Sequence, residues 1–509
     1  MLKRALLLVT LPILLGWPSC LASAQTASSA DSPADITLTG TVKGSQNHSY
    51  VEVPFRVPGG VQRVTLTFHY TERDKRTTLD LGMEDPTGLR CWSGGNKSVL
   101  TVGLSDATPS CLPGPLPAGT WHVLIGVPNI RANVTAQYTA KVYFARSGLV
   151  AAEPAVLREP LRSGPAWYRG DLHMHTGHSD GHCKSQMGRQ VPCPVVFTVE
   201  AAARRGLDFI AISDHNATSQ YDAMRELQPY FDKVLLIPGR EITTFYGHMN
   251  FLGTTSYIDF RLGSKMVPNL NTFLRRAQEL GALVSINHPD SPSGENCMGC
   301  GWTPAWPVNM HLFGSVEAVN GGSETHGESE LPFWNKELNL GYRLPGIGGS
   351  DNHDAFTPPD EPSSVGNPTT VVYAADLSTP AILAGIRAGH VFIDLTGSHN
   401  RMLTMDATAS GKTAEMGDLL DAPKGTTVTF DLHVTGAEKG NAALLEDGQP
   451  LDGLKAAGSM DGAETFRATW TADGQRHWFR PQVSGPDGKL WLLGNPVYVD
   501  LSASAASTH

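Results

Sequence analysis

This sequence lacks two features that nucleic-acid-binding and membrane proteins commonly carry. It has no tract of clustered basic residues, and its 39 Lys and Arg are outnumbered by 49 Asp and Glu, which gives a formal net charge of −10 at pH 7. Such a balance disfavours general binding to nucleic acids. Beyond the N-terminus, no apolar run is long enough to span a bilayer. We therefore expect neither a nucleic-acid polymer as partner nor a membrane span.

The N-terminus has the features of a secretory signal peptide. Lys3 supplies positive charge, the apolar run at 5–15 is too short for a comfortable membrane span, and 22–24 is an A-x-A cleavage site. Cys20 raises the alternative of a lipoprotein, which the residues before it disfavour. We predict that the mature chain starts near Gln25 and is exported to the periplasm or secreted.

Six cysteines remain after the predicted cleavage, an even number that indicates disulfides in an exported protein. Six cysteines allow 15 pairings. The pairs closest in sequence are 91–111, 183–193 and 297–300, and we favour these. The last is a C-x-x-C, which is also a zinc or redox motif; we interpret it as a structural staple of its loop.

The sequence pattern changes several times along 509 residues, a length sufficient for two or three domains. Alternating strand patterns with regularly spaced turns predict β-sandwiches at both ends. Between them, apolar runs alternate with helical patterns, which indicates a parallel sheet. The predicted divisions are a signal peptide (1–24), a flexible leader (25–34), a jelly-roll-like β-sandwich (35–147), a linker (148–166), an α/β barrel (167–398), a small β-sandwich (399–500) and a disordered tail (501–509).

About seven strand patterns occur in the central part of the chain. Those at 207–212, 282–287 and 344–348 are examples, and the first two follow helical patterns directly. This number of parallel strands favours a closed or nearly closed barrel, in which the carboxyl ends of the strands converge on one face.

Histidines and acidic residues follow five of these strands. His173 and His175 stand two positions apart, so an extended backbone directs both imidazoles to the same side. Because the strand ends of a barrel converge, we expect one cluster of nine side chains: His173, His175, Asp180, His215, Glu241, His248, His288, Asp351 and His353. Four asparagines at strand ends are candidates for orienting ligands or substrate: Asn216, Asn250, Asn287 and Asn320.

Metal binding explains why these residue types would be gathered. Imidazoles together with carboxylates suit Zn, Mn or Fe, and a carboxylate such as Glu241 can bridge two ions. Water bound to such ions titrates near neutrality. Without metals, nine ionisable groups in one apolar barrel mouth would be costly to desolvate.

The order and spacing of these motifs resemble the polymerase-and-histidinol-phosphatase (PHP) superfamily, and within it the exported carbaryl-hydrolase-like (CehA/McbA) branch. The resemblance covers 170 to about 395 and implies a distorted (β/α)7 barrel. It also implies two or three divalent ions. The ligand sets it implies are His173, His175, Glu241 and Asp351; Glu241, His248 and His288; and Asp180, His215 and His353.

The resemblance further implies a metal-dependent hydrolase that uses a metal-bridging hydroxide on a small-molecule ester, with Glu241, Asp351 and His248 most directly involved in catalysis. A phosphoester is the leading substrate class. The alternatives are a carbamate or carboxyl ester or amide, and a non-catalytic binding protein. The candidate substrate-contacting residues are His178, His182, Lys184 and Trp302. The oligomeric state stays open.

Overall fold

The computed structural model describes residues 33–93, 95, 97–146, 159–293, 299–321, 330–460 and 463–500. The predicted signal peptide, most of the leader, the tail and Cys297 lie outside these residues. The described chain is mostly β, with 45% of residues in strands and 13% in helices.

The N-terminal part consists of eight strands. Their bounds are β1 (Ile36–Lys43), β2 (Ser49–Val57), β3 (Val61–Tyr70), β4 (Thr78–Asp85), β5 (Gly88–Trp92), β6 (Val99–Gly103), β7 (Gly119–Asn129) and β8 (Thr135–Arg146). They form two antiparallel four-stranded sheets, ordered β1-β8-β3-β6 and β2-β7-β4-β5. The inward-facing residues of both sheets share one apolar core around the fully buried Trp121.

The central part contains eleven strands and five α-helices in the described residues, and some strands, such as β13 and β14, follow one another without a helix between them. Its elements are β9 (Ser163–Asp171), β10 (His182–Lys184), β11 (Gln190–Pro192), α1 (Val195–Arg204), β12 (Phe209–Ile212), α2 (Gln220–Leu227), β13 (Leu235–Thr244), β14 (Gly247–Leu252), α3 (Leu270–Glu279), β15 (Leu283–Ile286), β16 (Ser315–Asn320), α4 (Leu331–Asn339), β17 (Gly346–Gly349), β18 (Thr369–Asp376), α5 (Thr379–Ala388) and β19 (Val391–Asp394). The strand β9 begins inside the predicted linker.

Local signals account for several of these boundaries. The Asn269 side chain accepts a hydrogen bond from the Thr272 backbone N–H and so caps the start of α3. Ser378 caps α5 in the same way, and α5 ends at Gly389, whose left-handed φ of 75° favours glycine. The short central strands β12 and β15 are buried along their whole length, as strands covered on both faces are.

The C-terminal part returns to strands. They are β20 (Met402–Ala409), β21 (Lys412–Glu415), β22 (Leu419–Asp421), β23 (Thr427–Thr435), β24 (Asn441–Glu446), β25 (Gln449–Pro450), β26 (Lys455–Met460), β27 (Ala463–Thr471), β28 (His477–Ser484), β29 (Leu490–Gly494) and β30 (Val497–Asp500). Five of them form a separate sheet ordered β21-β20-β23-β27-β26.

The prediction of a (β/α)7 barrel is wrong. The central strands belong to an open sheet of 15 strands, whose main path is β17-β16-β15-β14-β13-β12-β9-β18-β19-β29-β28-β24-β25. The sheet is mixed, because β14 pairs antiparallel with both its neighbours and β18 pairs antiparallel with β9 and β19. None of the sheets in the described residues is closed.

The edge strand β17 meets the interior strand β18 through a side chain rather than through strand pairing. The Gly348 backbone N–H on β17 donates to Thr370 Oγ1 on β18 over 2.8 Å, and that hydroxyl donates to the Gly348 carbonyl over 2.7 Å. The backbone of β19 pairs instead with β29. Six of the C-terminal strands therefore continue the central sheet. The small β-sandwich domain over 399–500 stays a prediction.

Candidate metal centre

The first two histidines lie on the extended segment that follows β9. This segment pairs with the segment after β17: Asp351 N donates to the His173 carbonyl over 2.9 Å, and His175 N donates to the Asn352 carbonyl over 2.8 Å. The two imidazoles and the Asp351 carboxylate are thereby directed to one point. Asp351 Oδ1 lies 3.3 Å from His173 Nε2 and 3.1 Å from His175 Nε2.

Glu241 lies at the centre of the cluster. It is fully buried on β13, and its Oε1 lies 3.4 Å from His173 Nε2, 3.3 Å from His248 Nδ1 and 3.3 Å from His288 Nε2. The other oxygen, Oε2, lies 2.8 Å from His215 Nδ1. A carboxylate that is approached by imidazoles from both sides suits the bridging position between two ions.

Asp180 forms the outer end of the cluster. Its carboxylate lies 3.4 Å from His353 Nε2 and 3.7 Å from His215 Nε2, and its side chain is 58% exposed. Asp214 holds the loop that carries it, because its carboxylate accepts hydrogen bonds from Thr176 and Ser179. The cluster thus extends from the buried Glu241 to an accessible end at Asp180.

The structure brings all nine predicted side chains together. Their ligand atoms form four overlapping groups, each within 4.8 Å: His175, Asp180, His215 and His353; His173, Glu241 and His288; His173, His175 and Asp351; and His215, Glu241 and His248. These groups differ from the expected ligand sets. The first adds His175 to the third set, Glu241 is absent from the group of His173, His175 and Asp351, and His248 and His288 belong to different groups.

The spacing of these atoms fits a metal ion. Two ligands that each lie about 2.1 Å from a tetrahedral ion are about 3.4 Å apart, and the imidazole–carboxylate separations given above centre on that value. The buried His173 Nε2 and both ring nitrogens of His248 make no hydrogen bond. Buried polar atoms are normally paired, so these nitrogens have the character of metal ligands.

The imidazoles and carboxylates of the cluster shift one another's pKa values. Burial raises the pKa of the Glu241 carboxyl, but the neighbouring charge of His173 and the contacts with His215 and His248 hold that pKa well below its usual range. Burial lowers the pKa of His288, but Glu241 and the other nearby carboxylates raise it to about 9. Asp180 likewise raises the pKa of His353 to about 9, against burial. Cations that bind here must displace protons.

The backbone at the cluster is unusual. Asp351 has a φ of 51° and His288 a φ of 25°, values that residues other than glycine rarely adopt. Strained conformations of this kind concentrate at functional sites, where the surrounding structure maintains them. On β17, a Cβ at Gly349 would lie 2.6 Å from His173 Cβ. Only glycine therefore allows this strand to pass so close to the cluster.

None of the four candidate substrate-contacting residues belongs to the groups of ligand atoms. His178 Nδ1 lies 2.7 Å from Ser219 Oγ, and His182 Nδ1 lies 3.8 Å from Asp354 Oδ2. Lys184 is exposed at the end of β10. Trp302 packs edge-on against Phe313, with ring centroids 5.5 Å apart.

A groove of about 540 Å³ begins beside the cluster. Pro289, the residue after His288, lies in its wall together with Trp302, Trp306 and Phe333. The groove has the size and aromatic lining typical of small-molecule sites.

Sequence reasoning missed Glu317. This residue is buried on β16, and its Oε1 lies 3.0 Å from His173 Nδ1. An acidic residue inside the apolar run Ser315–Asn320 was a usable signal, because buried carboxylates need partners.

Two of the four asparagines contact carboxylates of the site: Asn287 donates to Glu241 and Asn320 to Glu317. Asn216 and Asn250 donate to backbone carbonyls.

Two of the favoured disulfides are formed, Cys91–Cys111 and Cys183–Cys193. Disulfides are typical of proteins that fold in an oxidising compartment, so the pair fits an extracellular protein. Among the residues that the structure describes, no helix combines the length and apolar character needed to cross a bilayer.

No family model matches the chain, and a search of curated proteins finds none that is similar to it.

Proposed function

We propose that this protein is an exported, metal-dependent hydrolase. The observation that carries the proposal is the position of Glu241, a buried carboxylate within 3.4 Å of four imidazoles on separate segments: His173, His215, His248 and His288. Such a carboxylate is suited to holding two cations next to each other. With Asp351 and the outer residues, the nine side chains provide enough ligands for two or three ions.

Divalent ions held there would lower the pKa of bound water to near neutrality and polarise a substrate oxygen. The contribution of the chain is to orient the donors before any ion binds. Asn287 Nδ2 donates to Glu241 Oε1 over 2.8 Å, and the backbone carbonyl of Asp351 lies 2.8 Å from His353 Nδ1. Partners of this kind set the direction of each ligand atom. The accessible end of the cluster, at Asp180, is where substrate and solvent would enter.

The charge balance favours a phosphoester as substrate. The nine side chains include three carboxylates, Asp180, Glu241 and Asp351. Three divalent ions would bring six positive charges, which exceed the charges of these three carboxylates and of the adjacent Glu317, so a three-ion centre would keep a net positive charge. A centre of that sign attracts an anionic group.

A carbamate or carboxyl ester is the second candidate, and the groove beside His288 favours it. Trp302, Trp306 and Phe333 offer apolar and aromatic surface next to the cluster, which suits a neutral ester with an apolar leaving group. The two candidates differ in what binds them: the phosphoester depends on positive charge at the loaded centre, and the neutral ester depends on the apolar surface beside it.

The export route is a signal peptide, followed by a periplasmic or secreted mature protein whose disulfides form after translocation. Kinship to the PHP superfamily is proposed from the order of the motifs alone, because the open sheet differs from the barrel that the resemblance implied.

Metal analysis and turnover test the proposal together. The mature protein is purified without chelator, its Zn, Mn and Fe contents are measured, and p-nitrophenyl phosphate, bis-p-nitrophenyl phosphate and naphthyl carbamate are assayed with and without a chelator. We expect at least two ions per chain and chelator-sensitive turnover of a phosphoester. Fewer than two ions, or no chelator-sensitive turnover of any substrate, would contradict the proposal. Turnover of the carbamate alone would select the second candidate.

Trp302→Ala separates the two substrate classes. Loss of this ring opens the groove wall and is expected to reduce carbamate turnover more than turnover of p-nitrophenyl phosphate. Trp92→Ala, in the N-terminal sheets, is the matched control because it removes a similar ring far along the chain from the cluster.

A further inference from the structure

The buried carboxylate of Glu317 has three polar contacts, and two of them involve predicted metal ligands. Its side chain is 2% exposed, and Oε1 lies 3.0 Å from His173 Nδ1. Its other oxygen, Oε2, accepts the His288 backbone N–H over 2.9 Å and the Asn320 side-chain N–H over 2.9 Å. Glu317 therefore touches one ligand by its ring and another by its backbone.

The contact with His173 determines which ring nitrogen carries hydrogen. Glu317 already accepts two N–H groups at Oε2, and with the carboxylate acting as acceptor at Oε1 as well, Nδ1 of His173 donates to it. The neutral imidazole then has its lone pair on Nε2. This is the nitrogen that makes no hydrogen bond and lies 3.4 Å from Glu241 and 3.3 Å from Asp351. The tautomer selected by Glu317 is thus the one that can bind an ion at the centre.

Glu317 contacts His288 through the backbone N–H of that residue. The φ of His288 is 25°, an unfavourable value for a histidine. A hydrogen bond from its N–H to a buried carboxylate offsets part of that cost and fixes the start of the segment that presents the ring. The neighbouring strand leaves room for this arrangement: a Cβ at Gly349 would lie 2.1 Å from Glu317 Oε1.

We propose that Glu317 is a positioning residue that prepares His173 and His288 together for metal binding. This inference rests on the proposed metal centre, and it deepens it by assigning a role to a side chain outside the nine ligands. Through one carboxylate, the ring of His173 and the backbone of His288 are aligned before any ion arrives. Partners of this kind typically change metal affinity by about 10- to 100-fold when removed.

Glu317→Gln is the informative variant because it keeps the size of the side chain. The two N–H groups of His288 and Asn320 need an acceptor, so the amide oxygen is expected to occupy their side. The amide nitrogen then faces His173 Nδ1 as a donor, which selects the opposite tautomer and places hydrogen on Nε2. Glu317→Asp keeps an acceptor carboxylate and serves as the conservative variant.

Asp394→Asn is the matched control. Asp394 is also a fully buried carboxylate in the central sheet, but it accepts hydrogen bonds from Thr396, Ser398 and Arg169 and contacts none of the nine ligands in a described hydrogen bond. Asp394→Asn therefore shows how much zinc affinity changes when the protein loses a buried charge that has no hydrogen bond to a ligand.

The measurement is the zinc affinity of the metal-free, full-length mature protein, obtained by competition with a chromophoric chelator. Circular dichroism and the unfolding midpoint in chelator accompany it. We expect Glu317→Gln to weaken the tightest zinc site by about 10- to 100-fold, Glu317→Asp to recover most of the affinity, and Asp394→Asn to match the unsubstituted protein.

Zinc affinity tests the role of Glu317, and ester hydrolysis tests the proposed function, so each can fail without the other. A folded Glu317→Gln protein with unchanged zinc affinity would overturn the inference, and so would an equal loss in Asp394→Asn. If the unsubstituted protein binds zinc but hydrolyses none of the tested esters, the proposed function fails while the affinities still decide the role of Glu317. If the unsubstituted protein binds manganese or iron but no zinc, the same variants are compared with that ion, and binding of none of the three ions would overturn both.

Discussion

His215 Nδ1 lies 2.8 Å from Glu241 Oε2, and the backbones of the same two residues are bridged as well. Glu241 N donates to the Ser213 carbonyl over 2.9 Å, and Asn216 N donates to the Glu241 carbonyl over 2.8 Å. The position of the carboxylate is therefore determined by sheet hydrogen bonds as well as by its side-chain partners. A substitution that spares the backbone can remove the carboxylate without displacing the strand.

Glu241→Gln is expected to abolish tight binding at the inner end of the cluster. The amide keeps the shape of the side chain but carries no charge and has only one acceptor oxygen. It therefore cannot bridge two cations, as a carboxylate can. We expect the metal content to fall by at least one ion per chain and kcat to fall by at least about 100-fold. Elemental analysis and phosphoesterase assays check this. An unaltered metal content would show that Glu241 is not a ligand.

Asp351 combines a ligand role with a left-handed backbone. Asparagine tolerates its φ of 51° better than alanine does. Asp351→Asn is therefore expected to lose activity with little change in stability, whereas Asp351→Ala should lose activity and about 1 kcal/mol of unfolding free energy. Urea unfolding of the chelated proteins measures the difference. Retained activity in both variants would mean that this carboxylate is wrongly assigned.

The metal-free protein should lose stability as pH rises above neutrality. The pKa values of His288 and His353 are raised to about 9 by nearby carboxylates, whereas an unfolded histidine titrates near 6.5. Their contribution is complete below about pH 6.5 and is lost as pH rises through about 9. Urea unfolding in chelator at pH 6, 7.5 and 9 tests this.

The opposite trend is expected for metal affinity. Protons and cations compete for the same imidazoles, so zinc should bind more tightly as pH rises from about 6.5 to about 9. His477→Gln is a control, because His477 lies in the C-terminal strands and its pKa is also raised, against burial, by Asp447 and Asp473. It should leave the pH dependence of zinc affinity unchanged. A zinc affinity that is independent of pH would argue against histidine ligation.

The Cys183–Cys193 disulfide closes the β10–β11 hairpin next to the accessible end of the cluster. The backbone N–H of His182 in this hairpin donates to the His353 carbonyl over 2.7 Å. Replacing both cysteines with serine should lower the unfolding free energy by about 2–3 kcal/mol and raise KM, because the hairpin no longer supports the outer ligands.

The other disulfide provides the comparison for this prediction. Cys91–Cys111 lies in the N-terminal sheets and has a sequence separation of 20, compared with 10 for Cys183–Cys193. Its removal should cost similar stability and leave KM unchanged. Equal kinetic effects of the two double variants would indicate a general loss of stability rather than a local role of the hairpin.

Part of this site could be predicted because its determinants are local. An extended backbone directs residues two positions apart to the same side, so His173 and His175 share a target wherever the strand lies. Cysteines about 10 or 20 residues apart pair readily. Histidines and acids directly after apolar runs marked strand ends, and the nine residues chosen in this way lie in one cluster.

The tertiary structure decided what depends on strand pairing. An apolar run identifies a strand but does not identify its partner, so the sequence pattern could not distinguish a closed barrel from a sheet in which β19 pairs with β29. The same limit hid Glu317, which meets His173 across 144 residues of chain. The sequence by itself determined which side chains were available as ligands, because spacing and strand position are local properties. Only the three-dimensional packing decided which buried carboxylate orients them, because that contact exists only once distant strands lie side by side.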